Sequence, residues 1–435
     1  MLGPEVQDAM LRVRTNHAKA GMELAMPVYH PRRHDTLLLK AGVRLEDRTI
    51  ARLREMNLPE LWIRYPLLEQ ISEYVNPAVF AERARLSRQI ADAFDTFGAC
   101  VDAELDFVEF RSAMNDMISL LVEQPRTAIY LSEIVESGQP MLRHAANVGF
   151  ISVLMGLKLG FYLVKERSRL AGTHAKSVAN LGVAGVLHDI GMLRLDEETL
   201  LRWNTTSDES DPAWREHVKI GYNLVRGELE PSAAAAVLHH HQRFDGTGFP
   251  QRVTFSGEEV PIEGSDIHIF ARIVAAADLF NRTKHPASAP GAEVIGRPSI
   301  PTVRALKMML TPPMRDWVDP VVLRGLLSVV PAYAPGTIVR LNSGVRAVVI
   351  GWSPLDPCRP EIHEIDDSDE LLDPSLGGEI DLREFPDEHI VEADGEDVSE
   401  DNFAPAKPDD FDIGAIARRM INGAEEAEQR RRLAS

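Results

Sequence analysis

Apolar positions between residues 126 and 298 recur at helical spacing and are separated by glycine, proline and polar breaks. A repeat of about 3.6 residues is typical of amphipathic helices, and very few stretches here alternate as a strand does. The longest apolar run, residues 150–164, contains Lys158 and is too short to span a bilayer, so we interpret it as a buried helix. This part of the chain is therefore predicted to be a helical domain without a membrane span.

Different patterns flank the helical domain on both sides. Residues 1–66 combine short apolar runs with a periodic helix, which predicts a small α/β module, and residues 67–125 are predicted to be a helical connector. Residues 299–355 hold a short helix and then two β-branched runs around the turn Asn342-Ser343-Gly344. That turn predicts a hairpin in a small β-containing appendage, so the predicted fold class is mainly α.

The last segment, residues 356–435, differs from the rest in charge. Between Asp356 and Asp412 there are 22 acidic and three basic residues, a difference equal to the whole net charge of −19. An acidic segment of this kind is expected to be largely disordered. A terminal amphipathic helix is predicted after it, with one apolar side that can dock on the body or on a protein partner, formed by Phe411, Ile413, Ile416 and Met420.

Composition restricts the classes of function. Outside the acidic segment the chain is close to neutral and has no concentrated basic stripe, so binding to a nucleic-acid polymer is not indicated. Only Cys100 and Cys358 are present, which argues against a disulfide framework and against a cysteine zinc site. Together with an N-terminus that lacks a signal-peptide pattern, this favours a cytoplasmic protein. A homodimer stays open as an alternative to a monomer.

Polar side chains interrupt the apolar pattern of the helical domain. Imidazole and carboxylate groups together suit first-row transition metals, and an aspartate can bridge two ions. Two neighbouring metals can activate a water and neutralise a phosphoryl oxygen, so these residue types indicate phosphoester hydrolysis. Each histidine taken alone is more often a surface or satisfied core residue. The candidates are His144, His188, Asp189, His217, His240, His241 and Asp278.

Three motifs occur in a fixed order: LHDIG at 187–191, HHHQRFDGTGFP at 239–250 and ARIVAAADLFN at 271–281. They resemble the HD-GYP proteins, the branch of the HD phosphohydrolases that hydrolyses the bacterial second messenger cyclic di-GMP. The resemblance implies an HD-type helical bundle and a metal-bound hydroxide that attacks the phosphodiester. It also implies that the seven candidates are metal ligands, that Asp189 bridges two metals, and that His188 and Asp189 are catalytic.

The resemblance further implies the number and kind of metals. Some family members hold a third metal through a glutamate one helical turn before the first histidine, and Pro140 stands at that position here. Because proline cannot coordinate a metal, we expect two divalent transition metal ions. Iron or manganese is favoured by the resemblance and by the histidine and carboxylate ligands.

Four further residues are candidates for binding the substrate. Gly246 and Gly248 allow a tight loop whose backbone can approach a ligand, although a simple turn would use them too. Arg243 and Arg272 can present paired donors to phosphate oxygens, and each can equally be a structural ion-pair partner.

The sequence departs from the family motifs at two positions that bear on activity. Met192 replaces the lysine expected to reach a substrate phosphate, and Gln242 replaces a glutamate. We therefore expect metal binding with reduced turnover, unless Met192 packs beneath the site and Arg194 or Arg243 supplies the charge. The alternatives are a low-turnover nucleotide-binding signalling adaptor and an HD phosphohydrolase that acts on another nucleotide.

Overall fold

A computed structural model of the protein describes residues 10–30, 33–56, 58, 60–64, 71, 74, 83, 85–94, 107–123, 140–286, 299–365, 378–407 and 409–420. Within these residues a six-stranded C-terminal sheet packs on a helical body and on a small N-terminal module. The predicted fold class, mainly α with small strand-containing parts at both ends, is confirmed.

The N-terminal module is built from two antiparallel strand pairs and one helix. Its elements are β1 (Met10–Arg14), β2 (Val28–His30), β3 (Arg33–Leu39), α1 (Asp47–Glu55) and β4 (Glu60–Arg64). Strand β1 pairs with β4, and β2 pairs with β3. Helix α1 buries Ile50 and Leu53, which are three residues apart and so lie on the same face. This apolar face joins the helix to the strands.

The helical body follows the predicted periodicity. Its helices are α2 (Phe107–Glu123), α3 (Pro140–Lys158), α4 (Gly160–Glu166), α5 (Gly172–Ala175), α6 (Ala179–Leu187), α7 (Glu197–Thr206), α8 (Pro212–Arg215), α9 (His217–Val225), α10 (Pro231–His239), α11 (Ile269–Lys284), α12 (Thr302–Met309), α13 (Met314–Trp317) and α14 (Pro320–Leu327). A 3-10 turn, Ile190–Arg194, comes after α6, and a short ribbon of β5 (Arg252–Val253) and β6 (Glu259–Val260) lies between α10 and α11. Among the described residues, no single helix is long and apolar enough to cross a bilayer, although two bent helix pairs meet that criterion jointly.

Helices α3, α6 and α11 pack against one another in the centre of the body. The residues of α6 are buried almost without exception, as its uniformly apolar sequence predicts. Gly149 on α3 faces Gly185 on α6, and a Cβ atom at position 185 would lie 2.8 Å from the Cα atom of Gly149. The two helices can approach this closely only because neither position carries a side chain.

Two aspartates cap the helices on either side of a loop, residues 207–211, that becomes important for the site. Asp196 accepts a hydrogen bond from the backbone N–H of Thr199 at the start of α7, and Asp211 accepts one from Ala213 at the start of α8. Both are N-caps, which stabilise helix starts by satisfying free N–H groups. The loop 207–211 is therefore held between the end of α7 and a capped helix start.

The C-terminal sheet connects the other two parts. Its strands are β7 (Ile338–Leu341), β8 (Arg346–Gly351), β9 (Glu361–Glu364), β10 (Glu379–Asp381), β11 (Ile390–Ala393) and β12 (Glu396–Asp397), in the spatial order β10-β9-β8-β7-β11-β12. The predicted hairpin is present, since β7 and β8 pair antiparallel around residues 342–345. Along β8, Val348 and Ile350 pack on the N-terminal module, whereas Ala347 and Val349 pack on the helical body. Because successive side chains of a strand point to opposite faces, β8 contributes to both cores.

The acidic segment is more ordered than its composition predicts. Residues 378–407 are not disordered: they supply β10, β11 and β12, and bury Leu382, Ile390 and Val398 in the core of the helical body. The physical reason is that these apolar residues let the strands pack while the acidic side chains point outward. Residues 413–420 are helical, and Phe411 is buried against the body rather than left for a partner. Residues 366–377 and 421–435 lie outside the described part of the chain.

Replacing Gly185 with alanine is expected to destabilise the protein, because the new methyl group would overlap the backbone of Gly149. Overpacking of this kind costs about 1–3 kcal/mol, more than the gain of up to about 1 kcal/mol in helix propensity. Gly160→Ala is the matched control, since its Cβ atom would lie 3.9 Å from its nearest neighbours. Urea unfolding followed by circular dichroism measures both, and a Gly185→Ala protein as stable as the Gly160→Ala protein would contradict the close helix contact.

Candidate metal centre

Seven histidine and aspartate side chains from five segments meet inside the helical body. Helix ends supply five of them, because the chain changes direction there and its side chains can converge on one point. All seven residues that the sequence predicts as metal ligands are brought together. His144 comes from α3, His188 and Asp189 follow α6, His217 begins α9, His240 and His241 follow α10, and Asp278 lies on α11.

Asp189 lies between two groups of histidines. Its Oδ1 atom is 3.4 Å from Nε2 of His217 and 3.4 Å from Nε2 of His240. Its Oδ2 atom is 3.4 Å from Nε2 of His188 and 3.7 Å from Nε2 of His144. The two carboxylate oxygens thus face different histidines. We define the first half-site as Asp189, His217, His240 and His241, and the second as His144, His188 and Asp278.

Hydrogen bonds to Nδ1 orient the imidazole rings. In His188, His217 and His240, the Nδ1 atom is 2.7 to 2.8 Å from the backbone carbonyl oxygen of the residue three positions earlier. In His144, Nδ1 is 2.8 Å from Oδ1 of Asn281. A neutral ring that donates its Nδ1–H to an oxygen carries its free electron pair on Nε2. All four Nε2 atoms are therefore available to a metal in the middle of the cluster.

His241 provides the observation that tests whether metals fit. Its Nε2 atom is buried and has no hydrogen-bond partner among the described residues. The ring of Phe249 stacks on the imidazole at 4.7 Å between centroids and 14° between planes. Because an unsatisfied buried nitrogen is costly, a ligand is needed there. Imidazole and carboxylate groups are ligands that divalent first-row metals accept, so the residues fit such ions.

The charge of the cluster also favours cations. Burial alone would raise the pKa of Asp189, but the neighbouring His188 holds that pKa well below its usual range. Burial lowers the pKa of His240 to about 4. At neutral pH an ionised carboxylate therefore faces a neutral imidazole, which is the protonation state that metal binding requires.

Comparison with known proteins shows what this centre is similar to. Residues 131–322 match the family model described as the HD domain. That range contains all seven residues of the centre. The helical body is therefore similar to HD domains.

The curated relatives of this chain include three phosphodiesterases. The cyclic di-GMP phosphodiesterase response regulator RpfG of Xanthomonas campestris is 32% identical over 113 residues, 25% of this chain and 28% of the relative. A cyclic di-GMP phosphodiesterase of Pseudomonas aeruginosa is 29% identical over 253 residues, 57% of this chain and 53% of the relative. The 3'3'-cGAMP-specific phosphodiesterase 2 of Vibrio cholerae is 28% identical over 139 residues, 27% of this chain and 25% of the relative. The chain thus spans between about a quarter and about half of the length of these relatives.

Two charged residues of the helical body were not predicted as part of the site. Arg282 binds both carboxylate oxygens of Asp278, with Nε 2.9 Å from Oδ1 and Nη2 2.9 Å from Oδ2. Its remaining Nη1 atom is 2.6 Å from Oε1 of Glu209 in the loop 207–211. The spacing of four residues between Asp278 and Arg282 on one helix is a signal that could have revealed the arginine. Nothing in the sequence points to Glu209, which is 73 residues away from Arg282.

Arg272, a predicted substrate-binding residue, lies in a buried network of ion pairs and hydrogen bonds. Its side chain is buried and forms ion pairs with Glu166 and, at 2.6 Å, with Asp319. It also donates to the hydroxyl oxygen of Tyr162 at 2.8 Å. These partners occupy the guanidinium, as expected if Arg272 is a structural ion-pair partner. Arg243 is different, because it is 29% exposed and forms one ion pair, with Glu209 at 2.9 Å.

The two glycines shape the loop that follows the paired histidines. Gly246 has a φ of +80°, a conformation that glycine adopts without strain. A Cβ atom on Gly248 would lie 2.4 Å from the backbone nitrogen of Arg243 and 2.5 Å from the carbonyl oxygen of His241. The loop therefore returns onto its own beginning, beside a metal ligand. Direct contact of either glycine with substrate stays a prediction.

Met192 and Gln242, which depart from the family motifs, both lie in the interior. Met192 belongs to a small buried apolar cluster with Trp214, Val218 and Phe249. Gln242 is also buried, and its side-chain amide donates to the backbone carbonyl oxygen of Pro250. The burial of Met192 favours the alternative in which this residue packs beside the site and an arginine supplies the positive charge.

Replacing Asp189 with alanine is expected to remove both metals, because this carboxylate reaches both half-sites. His241→Ala is expected to remove only the metal of the first half-site, about half of the total. His239→Ala is the control, since His239 belongs to neither half-site. Elemental analysis of anaerobically purified protein gives the metal content, and circular dichroism confirms folding. An Asp189→Ala protein that keeps two metals per chain would contradict the bridging position.

Proposed function

We propose that the protein is a metal-dependent phosphodiesterase that hydrolyses cyclic di-GMP. The observation that carries the proposal is the position of Asp189, with one carboxylate oxygen toward each half-site. A pair of cations joined in this way can act on the attacking and leaving oxygens of one phosphodiester displacement. Relatives named as cyclic di-GMP phosphodiesterases support the choice of substrate.

The residues of the two half-sites would hold two divalent metals, for which we propose iron or manganese. When bound, such metals supply positive charge for a phosphoryl oxygen and lower the pKa of a water ligand. The chain itself orients the ligands: His188 and His240 are fixed through Nδ1, and Asp278 is fixed by Arg282. Phe249 covers one face of His241 and limits the access of water from that side.

Two alternatives in function remain distinct from this proposal. A signalling adaptor that binds a nucleotide with little turnover is supported by Met192, since no lysine stands where the family motif has one. Action on another cyclic dinucleotide is supported by the relative of Vibrio cholerae that is named as specific for 3'3'-cGAMP. We further propose that the protein acts in the cytoplasm, where a second messenger is encountered. A homodimer, and a partner bound by the part of the terminal helix outside the described residues, stay predictions.

Anaerobically purified protein of known metal content is expected to consume cyclic di-GMP, and a chelator is expected to stop the reaction. The reason is that the metal ligands form the only cluster of imidazoles and carboxylates of this kind among the described residues. Chromatography of the products compares cyclic di-GMP with its linear form, with 3'3'-cGAMP and with simple nucleotides. Binding of cyclic di-GMP without consumption would favour the adaptor. Faster consumption of another nucleotide would show that this nucleotide, and not cyclic di-GMP, is the substrate.

Replacing Met192 with lysine is expected to lower stability without raising turnover. The lysine would put an ammonium group into the apolar cluster of Trp214 and Phe249, where burying a charge is costly. Met192→Leu, which keeps the volume and polarity, is the control and is expected to behave as the native protein. Thermal unfolding and steady-state kinetics measure both effects. A Met192→Lys protein that is folded and hydrolyses cyclic di-GMP faster would show instead that the missing lysine limits the rate.

A further inference from the structure

Four alternating charges connect the loop 207–211 to the metal centre. Arg243 pairs with Glu209, Glu209 pairs with Arg282, and Arg282 pairs with the ligand Asp278. The first three of these side chains are about one third exposed, at 29%, 32% and 28%, whereas Asp278 is buried. This series of ion pairs therefore begins at the surface and ends at a residue of the second half-site.

Glu209 divides its carboxylate between the two arginines. Its Oε1 atom is 2.6 Å from Nη1 of Arg282, and its Oε2 atom is 2.9 Å from Nη2 of Arg243. A phosphodiester group also presents two negatively charged oxygens on one central atom, and guanidinium groups bind both kinds of anion in the same way. The space that the carboxylate occupies between the arginines is thus suited to one phosphate group.

Both guanidinium groups are fixed by contacts other than Glu209. Arg282 is held by the hydrogen bond from its Nε to Oδ1 of Asp278 and by the ion pair between its Nη2 and Oδ2. Arg243 lies over the ring of Trp317, 3.8 Å from its centroid, and the next residue, Phe244, donates its backbone N–H to the carbonyl oxygen of Trp317 at 2.8 Å. A cation held over an aromatic ring keeps its position without a counter-ion. The arginines can therefore stay in place when the carboxylate leaves.

Glu209, in contrast, lies in a loop rather than in a helix. The loop 207–211 joins the end of α7 to the start of α8. Within the loop, Asp208 accepts hydrogen bonds from the backbone N–H and the hydroxyl of Ser210, and the carbonyl oxygen of Glu209 accepts a hydrogen bond from Arg215. The Glu209 side chain can change its rotamer without breaking any of these bonds.

We infer that Arg243 and Arg282 form a binding site for one phosphate of the substrate, and that Glu209 occupies this site until the phosphate replaces it. The inference rests on the proposed function and adds to it where the positive charge for the substrate comes from. Met192 cannot provide that charge, and Arg272 is committed to Glu166 and Asp319. Preorganised cations beside a reacting phosphate stabilise charge at no cost in reorganisation.

The test is Glu209→Gln, which keeps the shape of the side chain and removes its charge. Glu198→Gln is the control, since Glu198 is 84% exposed and pairs with Arg202 on the surface. The probe is a hydrolysis-resistant phosphorothioate analogue of cyclic di-GMP, titrated calorimetrically into metal-loaded protein. Without the competing carboxylate, the Glu209→Gln protein is expected to bind the analogue about three- to tenfold more tightly, the range that follows from losing a partly exposed ion pair. The control is expected to bind it as the native protein does.

The Arg243→Gln variant shows whether Glu209 competes with the phosphate for the arginines or only positions them. It is expected to weaken binding of the analogue, and in this background Glu209→Gln is expected to bring less improvement than in the native protein. Unchanged or weaker binding by the Glu209→Gln protein, with Arg243 intact, would overturn the inference, because the carboxylate would then support the arginines rather than compete for them.

A second probe, bis(p-nitrophenyl) phosphate, separates this inference from the proposed function. It is a simple phosphodiester without nucleobases, and its KM with metal-loaded protein is expected to fall in the Glu209→Gln variant. If no variant binds the cyclic di-GMP analogue but this KM still falls, the proposed substrate is wrong and the phosphate site is supported. If the analogue binds to all variants alike and the KM does not change, the phosphate site is wrong and the proposed substrate is supported.

Discussion

Two ionised carboxylates in one cluster of imidazoles, Asp278 buried and Asp189 partly buried, are the constraint on which the metal centre depends. Asp189 and Asp278 are both held in the ionised form, although burial by itself would raise the pKa of each. Negative charges in a site of low polarity need positive partners close by. Arg282 provides one such partner for Asp278. The other positive charge would come from the metals that the unsatisfied nitrogen of His241 also requires.

The surrounding helices determine whether these groups can share a metal. His188, His217 and His240 each use a carbonyl oxygen three residues earlier to orient the ring, and that oxygen is available because it belongs to the preceding helical turn. The positions of these rings relative to His144 then depend on how closely α3 and α6 approach. Gly149 and Gly185 permit that approach, so the backbone packing of α3 on α6 affects distances within the centre.

Much of the fold and of the ligand set was predictable because both follow from local patterns. Helical periodicity predicted the body, and the order of the histidines and aspartates predicted which side chains meet. The ion pairs of Arg272 could not be predicted, because its partners, Glu166 and Asp319, lie 106 and 47 residues away in the sequence. Glu209 was missed for the same reason. The ordered structure of residues 378–407 was not predicted, because the prediction relied on net charge. The acidic residues lie mostly on the outer faces of the strands, and a few apolar residues bury the inner faces.

A missing lysine in the sequence motif does not imply a missing charge in the structure. Met192 fills an apolar cluster, while Arg282 puts a cation next to Asp278 from the following turn of the same helix. The consequence is an asymmetry between the half-sites: Asp278 shares its negative charge with an arginine, whereas Asp189 has no arginine among its described ion-pair partners. An arginine that already pairs with a carboxylate leaves less of its negative charge for a second cation. The position of Arg282 is therefore a constraint on the second half-site, and the sequence motif alone does not show it.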